Sequence, residues 1–301
     1  MSDAALSREA RPLPGSLAQA LASLARSTPA VPPGVRPVSG EILAALAREH
    51  RLSLLEMERA SLTAGLVPAR YQRNMATFDP SAQIRFLDSR VALAGLGGLG
   101  GHLLELLARA GVGRIEAVDG DAFEETNLNR QLLCQAATLG RSKAWAARER
   151  AAGVNPAVEF TARAEFLDLA GFRDLVRGAD LALDALGGVA PRQDLRRAAD
   201  LEGVPLLTAA VAGSAGYVAL VRPGDPAPTD FFPAREAEVP AEVALGTPPP
   251  TVALAASLAA SQALAFLADP CRETAGGPLA GRMLLFDLAD ASFETVALKA
   301  R

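Results

Sequence analysis

At 301 residues the chain has room for one large domain, or for one domain plus an appendage. Half of it is hydrophobic and 21% charged, which supports a sizeable core and excludes global disorder. A net charge of −4 and a pI near 5.4 argue against a general nucleic-acid binder. The first dozen residues lack an apolar run and carry Arg8, Glu9 and Arg11, so no secretory leader is expected there. Pro12, Pro14, Pro29, Pro32, Pro33 and Pro37 break the next stretch into short pieces. Ser16-Leu-Ala-Gln19 and Ser53-Leu-Leu-Glu56 fit the capping box, in which side chain and backbone satisfy each other's unpaired groups at a helix start. Helices are expected near 17–26, 41–50 and 54–64, forming a helical extension over 1–69 that serves docking or packing rather than chemistry.

From Arg90 the pattern alternates. Val91-Ala-Leu-Ala94 is a short apolar run ending in Gly95, as a strand buried on both faces requires. A helix to about Ala110 and a strand at Arg114–Val118 follow, with further strands near 158–161, 180–184, 205–208 and 217–221. Such alternation implies an α/β domain over 70–301, a mainly parallel Rossmann-like sheet with helices on both faces. The proline-rich passage Pro223 to Pro250 is expected to be a long surface loop. The uncharged stretch Thr251–Ala268 approaches the length of a membrane span, but its Ala and Ser content and Gln262 suit a buried, close-packed helix. Arg282–Asp287 and Phe293–Ala297 alternate as a terminal strand pair. Two cysteines, Cys134 and Cys271, and two histidines, His50 and His102, lack metal-ligand spacing. No zinc site and no metal ligand are assigned, and the low cysteine count suits a reducing cytoplasm.

Gly95-Leu-Gly97-Gly98-Leu-Gly100 follows the first strand of this alternation and opens a helix. Glycines there allow a tight turn and let a ligand approach the backbone, and the helix start supplies unpaired amides. Asp119 ends the next strand, where a carboxylate can accept both hydroxyls of a ribose. These features alone fit a NAD oxidoreductase equally well. Asn127-Leu-Asn129-Arg130-Gln131 and Gly140-Arg141-Ser-Lys143 then add amide and cationic side chains. A nicotinamide ring does not need them. A triphosphate attacked at its α-phosphorus does, because negative charge builds on its oxygens.

Taken in order, Arg70-Tyr-Gln-Arg73-Asn, the glycine loop, Val118-Asp-Gly-Asp121, NLNRQ and GRSKA resemble the motif series of the ThiF/MoeB/HesA proteins of the ubiquitin-activating enzyme superfamily. The resemblance covers roughly 70–301. It implies a homodimer with ATP and magnesium that adenylates the C-terminal glycine of a small ubiquitin-like sulfur carrier ending in Gly-Gly, in thiamine- or molybdopterin-type cofactor synthesis. Membrane and nucleic acid are not among its implied partners. Carried over to this chain, it implies that Gly95, Gly97, Gly98 and Gly100 lie against the nucleotide, with Asp119 on the ribose and Asp121 in the same binding set. Asn127, Arg130 and Lys143 would contact phosphates, with Asn129 nearby, and Arg73 would reach the ATP of the other subunit. The catalytic set is thus Arg73, Arg130 and Lys143.

The chain departs from that pattern in three places. Where relatives carry a magnesium-binding aspartate and then asparagine, Leu183-Asp184-Ala-Leu-Gly187-Gly188 presents two glycines, which offer no side-chain oxygen. The zinc-binding cysteine pairs of many relatives are missing. No cysteine occupies the Glu242–Pro248 region where some relatives link covalently to the carrier, and Cys134 reads as a small buried hydrophobe. Gly187 keeps open a non-catalytic member acting as a nucleotide- or carrier-binding scaffold. A tRNA-modifying adenylating relative stays open as well.

Overall fold

The computed structural model describes residues 14–32, 34–231, 239–271, 279 and 281–298. The residues examined above for a leader, Pro33, and positions 232–238 of the proline-rich passage lie outside them. The chain divides into two compact units, Met1–Pro80 and Ser81–Arg301.

In the first unit, helices α1 (Gly15–Ser27), α2 (Gly40–His50) and α3 (Leu54–Thr63) form close to the expected positions. Leu17, Leu21, Leu43, Met57 and Leu66 are buried together as its core. The Ser53 box forms as expected. Glu56 N–H donates to Ser53 Oγ at 3.1 Å, and Ser53 N–H to the Glu56 carboxylate at 2.7 Å. The Ser16 box does not form. Pro14 precedes the first helical residue, Gly15, so Ser16 already sits inside the helix rather than at its cap. Two three-residue strands went unforeseen, β1 (Arg36–Val38) and β2 (Leu66–Pro68), which pair in parallel. Each is too short for alternation to register, and each contains a proline. A 3-10 turn, Ala69–Asn74, follows β2.

The second unit opens with α4 (Pro80–Asp88) and β3 (Arg90–Ala94). Next come α5 (Gly98–Ala110), β4 (Arg114–Val118), α6 (Lys143–Val154) and β5 (Glu159–Arg163). Then follow α7 (Leu169–Val176), β6 (Leu181–Asp184), α8 (Ala190–Glu202), β7 (Leu206–Ala212) and β8 (Ala215–Val221). The unit ends with α9 (Ala241–Ala244), α10 (Pro249–Ala268), β9 (Arg282–Asp287) and β10 (Ser292–Ala297). All the expected strands are present. β7 runs four residues beyond Thr208, because Ala209–Ala212 pair with β8 through a tight hairpin. Small alanines carry little strand propensity, so only the pairing reveals them. The passage 223–250 is not simply a loop: it holds a 3-10 turn at Pro228–Phe231, α9 and the first residues of α10.

The eight-stranded sheet has the order β10-β9-β8-β7-β6-β3-β4-β5. β5, β4, β3, β6 and β7 are parallel, and β8, β9 and β10 add antiparallel hairpins. Ala92, Ala94 and Ala182 pack on one face against Phe172, Leu175 and Leu195 of α7 and α8. α5 and α10 pack together over the other face, with α10 against β7 and β8. α10 is long and apolar enough to cross a membrane by composition, but half of its most apolar window is buried in the protein. Ala255, Ala256, Ala259 and Ala263 form that buried stripe, as a core helix requires.

The strand order reverses between β3 and β6: β4 and β5 follow on one side, β7 on the other. At such a reversal the loops leaving the two central strands separate, opening a crevice at their carboxyl ends where ligands bind in open α/β sheets.

Candidate nucleotide-binding site

The loop leaving β3 is the glycine loop, and the loop leaving β6 is 185–188. They touch. Gly95 has φ +93°, and a Cβ there would stand 2.5 Å from the Ala185 carbonyl oxygen. A Cβ on Gly100 would collide with the Gly95 carbonyl oxygen. Both positions therefore need glycine so that the chain can turn into α5 against its neighbour. Gly97 and Gly98 form the open lip. A Cβ on Gly98 would meet Val252 at 3.0 Å and Arg130 Cγ at 3.8 Å, and one on Gly97 would meet the Gln131 amide at 3.5 Å.

Asp119 closes β4 beside this loop. Its Oδ2 accepts the Leu96 N–H at 2.7 Å and its Oδ1 accepts the Asp121 N–H at 2.9 Å, so the carboxylate is tied to the turn while each oxygen keeps a further lone pair. Burial pushes its pKa above the ordinary aspartate value. The Lys143 charge and the two amides pull the other way. Lys143, the first residue of α6, is buried, and its Nζ donates to Asp121 Oδ2 at 2.8 Å. Its backbone N–H also donates to the Asp121 carbonyl, at 3.0 Å. The exposed Phe166 ring lies over Gly120, between the two aspartates: a Cβ on Gly120 would stand 2.6 Å from it.

Asn127 is buried and caps its own 3-10 turn, Glu125–Asn127, by accepting the Glu124 N–H at 3.2 Å. Its carbonyl accepts the N–H groups of Arg130 and Gln131 at 3.2 and 2.9 Å, which fixes where those side chains start. Arg130 Nη1 donates to the Thr126 carbonyl and to Asn129 Oδ1, each at 2.8 Å. Gln131 Oε1 is buried with no hydrogen-bond partner in the protein. An orphan polar atom at the lip of a glycine turn suits a bound polar ligand. This segment borders an open pocket of about 460 Å³, lined by His102, Asn129, Arg130, Cys134, Pro249 and Ala253 among others. Cys134 is buried, and burial pushes its thiol pKa up, as for an unreactive small side chain.

The structure thus brings the four loop glycines, Asp119, Asp121, Asn127, Asn129, Arg130 and Lys143 into one neighbourhood through contacts within the second unit. Arg73 belongs to the first unit. There Tyr71 Oη donates to the buried Glu58 carboxylate at 2.8 Å and Arg70 pairs with it at 3.3 Å, while Arg73 is exposed.

Two features of the crevice were missed, the pairing of Asp184 with Arg192 and the place of Glu242. Asp184 is buried and fully engaged. Its Oδ2 accepts from Arg192 Nη1 at 3.1 Å and Thr208 Oγ1 at 2.7 Å, and its Oδ1 from Leu186 N–H at 3.1 Å. Arg192 also donates to the carbonyls of Leu186 and Ala209, both at 2.8 Å, bracing the 185–188 loop. Burial works to lower the Arg192 pKa, but the Asp184 charge and its other partners outweigh it and raise the value. The eight-residue spacing of Asp184 and Arg192 across a strand end and a helix start was the available signal. The other element is Glu242 on α9, whose Oε1 accepts the Gly188 N–H at 3.2 Å. No local pattern announced it. Among the described residues, no group of three or more His, Cys, Asp or Glu side chains is placed to hold a metal ion.

A parallel sheet with a glycine turn at its strand-order reversal, an acidic residue closing the next strand and cations on the segments beyond defines a nucleotide-binding α/β protein of Rossmann-like class. The ThiF family model matches residues 71–301, and the chain belongs to that family. It is 34% identical over 236 residues to the SAMP-activating enzyme E1 of Haloferax volcanii, covering 75% of this chain and 84% of that one. It is 33% identical over 240 residues to the sulfur carrier protein adenylyltransferase of Thermus thermophilus, covering 76% and 87%. Among solved structures the fold matches Escherichia coli MccB crystallised with ATP. The TM-score is 0.65 at 17% identity, covering 86% of this chain and 83% of that one.

Proposed function

We propose that this chain is an ATP-dependent adenylyltransferase that activates the C-terminal glycine carboxylate of a ubiquitin-like sulfur-carrier protein ending in Gly-Gly, as a cytoplasmic homodimer. The observation that carries the reading is the convergence of Asp119, Arg130 and Lys143 on the glycine turn, in a family whose relatives bear adenylyltransferase names. A carboxylate oxygen of the carrier attacks the α-phosphorus, the bond from that phosphorus to the bridging oxygen of pyrophosphate breaks, and pyrophosphate leaves. The products are an acyl-adenylate and pyrophosphate. No protein nucleophile is needed, so positioning and electrostatics supply the catalysis.

In this reading Asp119 accepts the ribose hydroxyls, and the exposed Phe166 ring beside it offers a face to the base. The amides of the 95–100 turn and the start of α5 receive phosphate oxygens. Arg130 leaves Asn129, and Lys143 leaves Asp121, to face charge developing on the phosphates, with Asn127 holding the intervening turn. Magnesium, when bound with ATP, would supply positive charge to the phosphates. Asp184 would not be free to hold it, because its oxygens are already engaged by Arg192, Thr208 and the Leu186 amide. Arg73 of a second copy reaches the same phosphates. Its exposure on a turn anchored through Glu58 supports that role.

Gly187 favours a second reading, a scaffold that binds nucleotide without adenylating. ATP–pyrophosphate exchange separates the two. Purified chain is given ATP, radiolabelled pyrophosphate and carriers ending in Gly-Gly. Label entering ATP only when a carrier is present supports adenylation. Tight ATP binding without exchange under any carrier overturns it in favour of the scaffold.

A further inference from the structure

The side-chain-free stretch Gly187-Gly188 does not leave its wall of the crevice without charge. Gly187 has room around it. A Cβ built there would meet one atom within 4 Å, the Oε1 of Glu242 at 3.8 Å. That same oxygen accepts the Gly188 N–H at 3.2 Å, so the carboxylate stands over the pair of glycines and close to the place a short acidic side chain at 187 would fill.

Its anchorage is built into the fold. α9 packs against β7, and the Gly213 N–H in the β7–β8 turn donates to the Gly246 carbonyl at 2.8 Å, just beyond the helix. A 54-residue separation between Gly188 and Glu242 is closed by this packing rather than by local chain geometry.

The charges nearby explain why this carboxylate differs from its neighbours. Asp184 is neutralised by Arg192 and sealed by Thr208. Asp121 is paired with Lys143. Asp119 has both oxygens on backbone amides. Among the described residues Glu242 has no Lys or Arg within ion-pair distance: Arg192, already paired with Asp184, acts on it only through its charge from farther off, and its one hydrogen bond occupies one oxygen. The 185–188 loop that it covers abuts the glycine turn, as the approach of Ala185 to Gly95 shows. Magnesium with a nucleotide keeps several waters and takes one or two carboxylates beside the phosphates. A single anchored carboxylate with no direct ion pair, at the edge of a phosphate turn, meets that requirement without a cluster of ligands.

Building on the adenylyltransferase reading, we propose that Glu242 supplies the divalent-cation carboxylate of this site from α9, in place of a side chain at Gly187. The bland alternative is that Glu242 only caps the Gly188 amide. Glu242→Gln separates the two, because the amide oxygen of Gln still accepts that N–H while the charge is gone.

The test uses the full chain, Mn2+ as the cation and α,β-methylene-ATP as a nucleotide that cannot turn over. Mn2+ binding is read by electron paramagnetic resonance, and nucleotide affinity by calorimetry with and without the metal. Glu242→Gln is expected to weaken Mn2+ binding in the ternary complex by about tenfold or more, at least the loss that metal sites show when only an outer-shell partner is removed. Metal-free nucleotide affinity should stay within about twofold, because only the cation term is removed. Gly187→Asp placed in the Glu242→Gln background is expected to restore Mn2+ affinity, since the space at 187 admits the side chain. Glu242→Asp, which keeps the charge on a shorter arm, should fall between. Wild-type Mn2+ affinity in Glu242→Gln, with its melting temperature unchanged, would overturn the proposal. A wild-type chain that binds Mn2+ through Glu242 yet shows no carrier-dependent exchange would refute adenylation and uphold this site.

Discussion

Replacing Lys143 by Met separates the catalytic and structural roles of this cation. The side chain is 8% exposed and its ammonium donates to Asp121 at 2.8 Å, while Asp121 is itself 53% exposed. Methionine keeps the buried stem, so no large cavity opens, and Asp121 can recover water when its partner is lost. The cost to stability is therefore that of a half-exposed ion pair, about 1 kcal/mol, or a fall of about 2–4 °C in melting temperature for a domain of this size. The cost to the reaction is larger, because a preorganised charge facing a developing anion typically contributes about 10²–10³ in rate. Carrier-dependent ATP–pyrophosphate exchange should drop by that factor in a protein that still melts within a few degrees of wild type. Exchange within about threefold of wild type would refute the phosphate role. A loss of exchange that merely tracked the unfolded fraction would show the pair to be structural.

Gly95→Ala should be far more damaging to the fold. Positive φ costs an L-residue about 1–2 kcal/mol, and the clash with the Ala185 carbonyl adds about 1–3 kcal/mol more. Urea denaturation and ATP binding should both register it, and a fully stable variant would contradict the described turn. Arg192→Ala strands the buried Asp184 carboxylate, at a cost of about 3–5 kcal/mol. Adding Asp184→Asn should recover part of that loss in chemical denaturation, whereas simple additivity would deny the coupling. The acid limb of stability tests Glu105. Burial works to raise its pKa, but Arg150 and Arg109 outweigh that and hold it below the ordinary 4.5. Because the folded value is the lower one, its contribution is present above that range and is lost as pH falls through the folded value. The stability gap between wild type and Glu105→Gln should accordingly close on acidification, and a gap constant from pH 7 to about pH 3 would sink the assignment.

What could be read from the sequence was whatever the backbone encodes locally. The glycine turn is legible because Gly95 and Gly100 stand where a Cβ would strike backbone, and the strands beside it because short apolar runs end in turn residues. Asp119, Arg130 and Lys143 follow in an order that itself constrains where the chain can go. Contacts made by folding back were not legible. The alanines that extend β7 look like helix formers until β8 pairs with them. The hydrogen bond that Arg192 donates to Asp184 depends on α8 starting directly over the end of β6. Glu242 reaches Gly188 only because α9 is held at the β7–β8 turn, which no spacing rule could have foretold.

The central claim is that one ATP lies along the 95–100 turn and is met there by Asp119, Arg130 and Lys143. A crystal structure of the full chain with α,β-methylene-ATP and magnesium tests it directly. The account requires the ribose on Asp119 and the phosphates over the turn, with Arg130 and Lys143 drawn from Asn129 and Asp121 onto phosphate oxygens. A nucleotide seated elsewhere, or one bound on the turn with both cations still on their present partners, would contradict it.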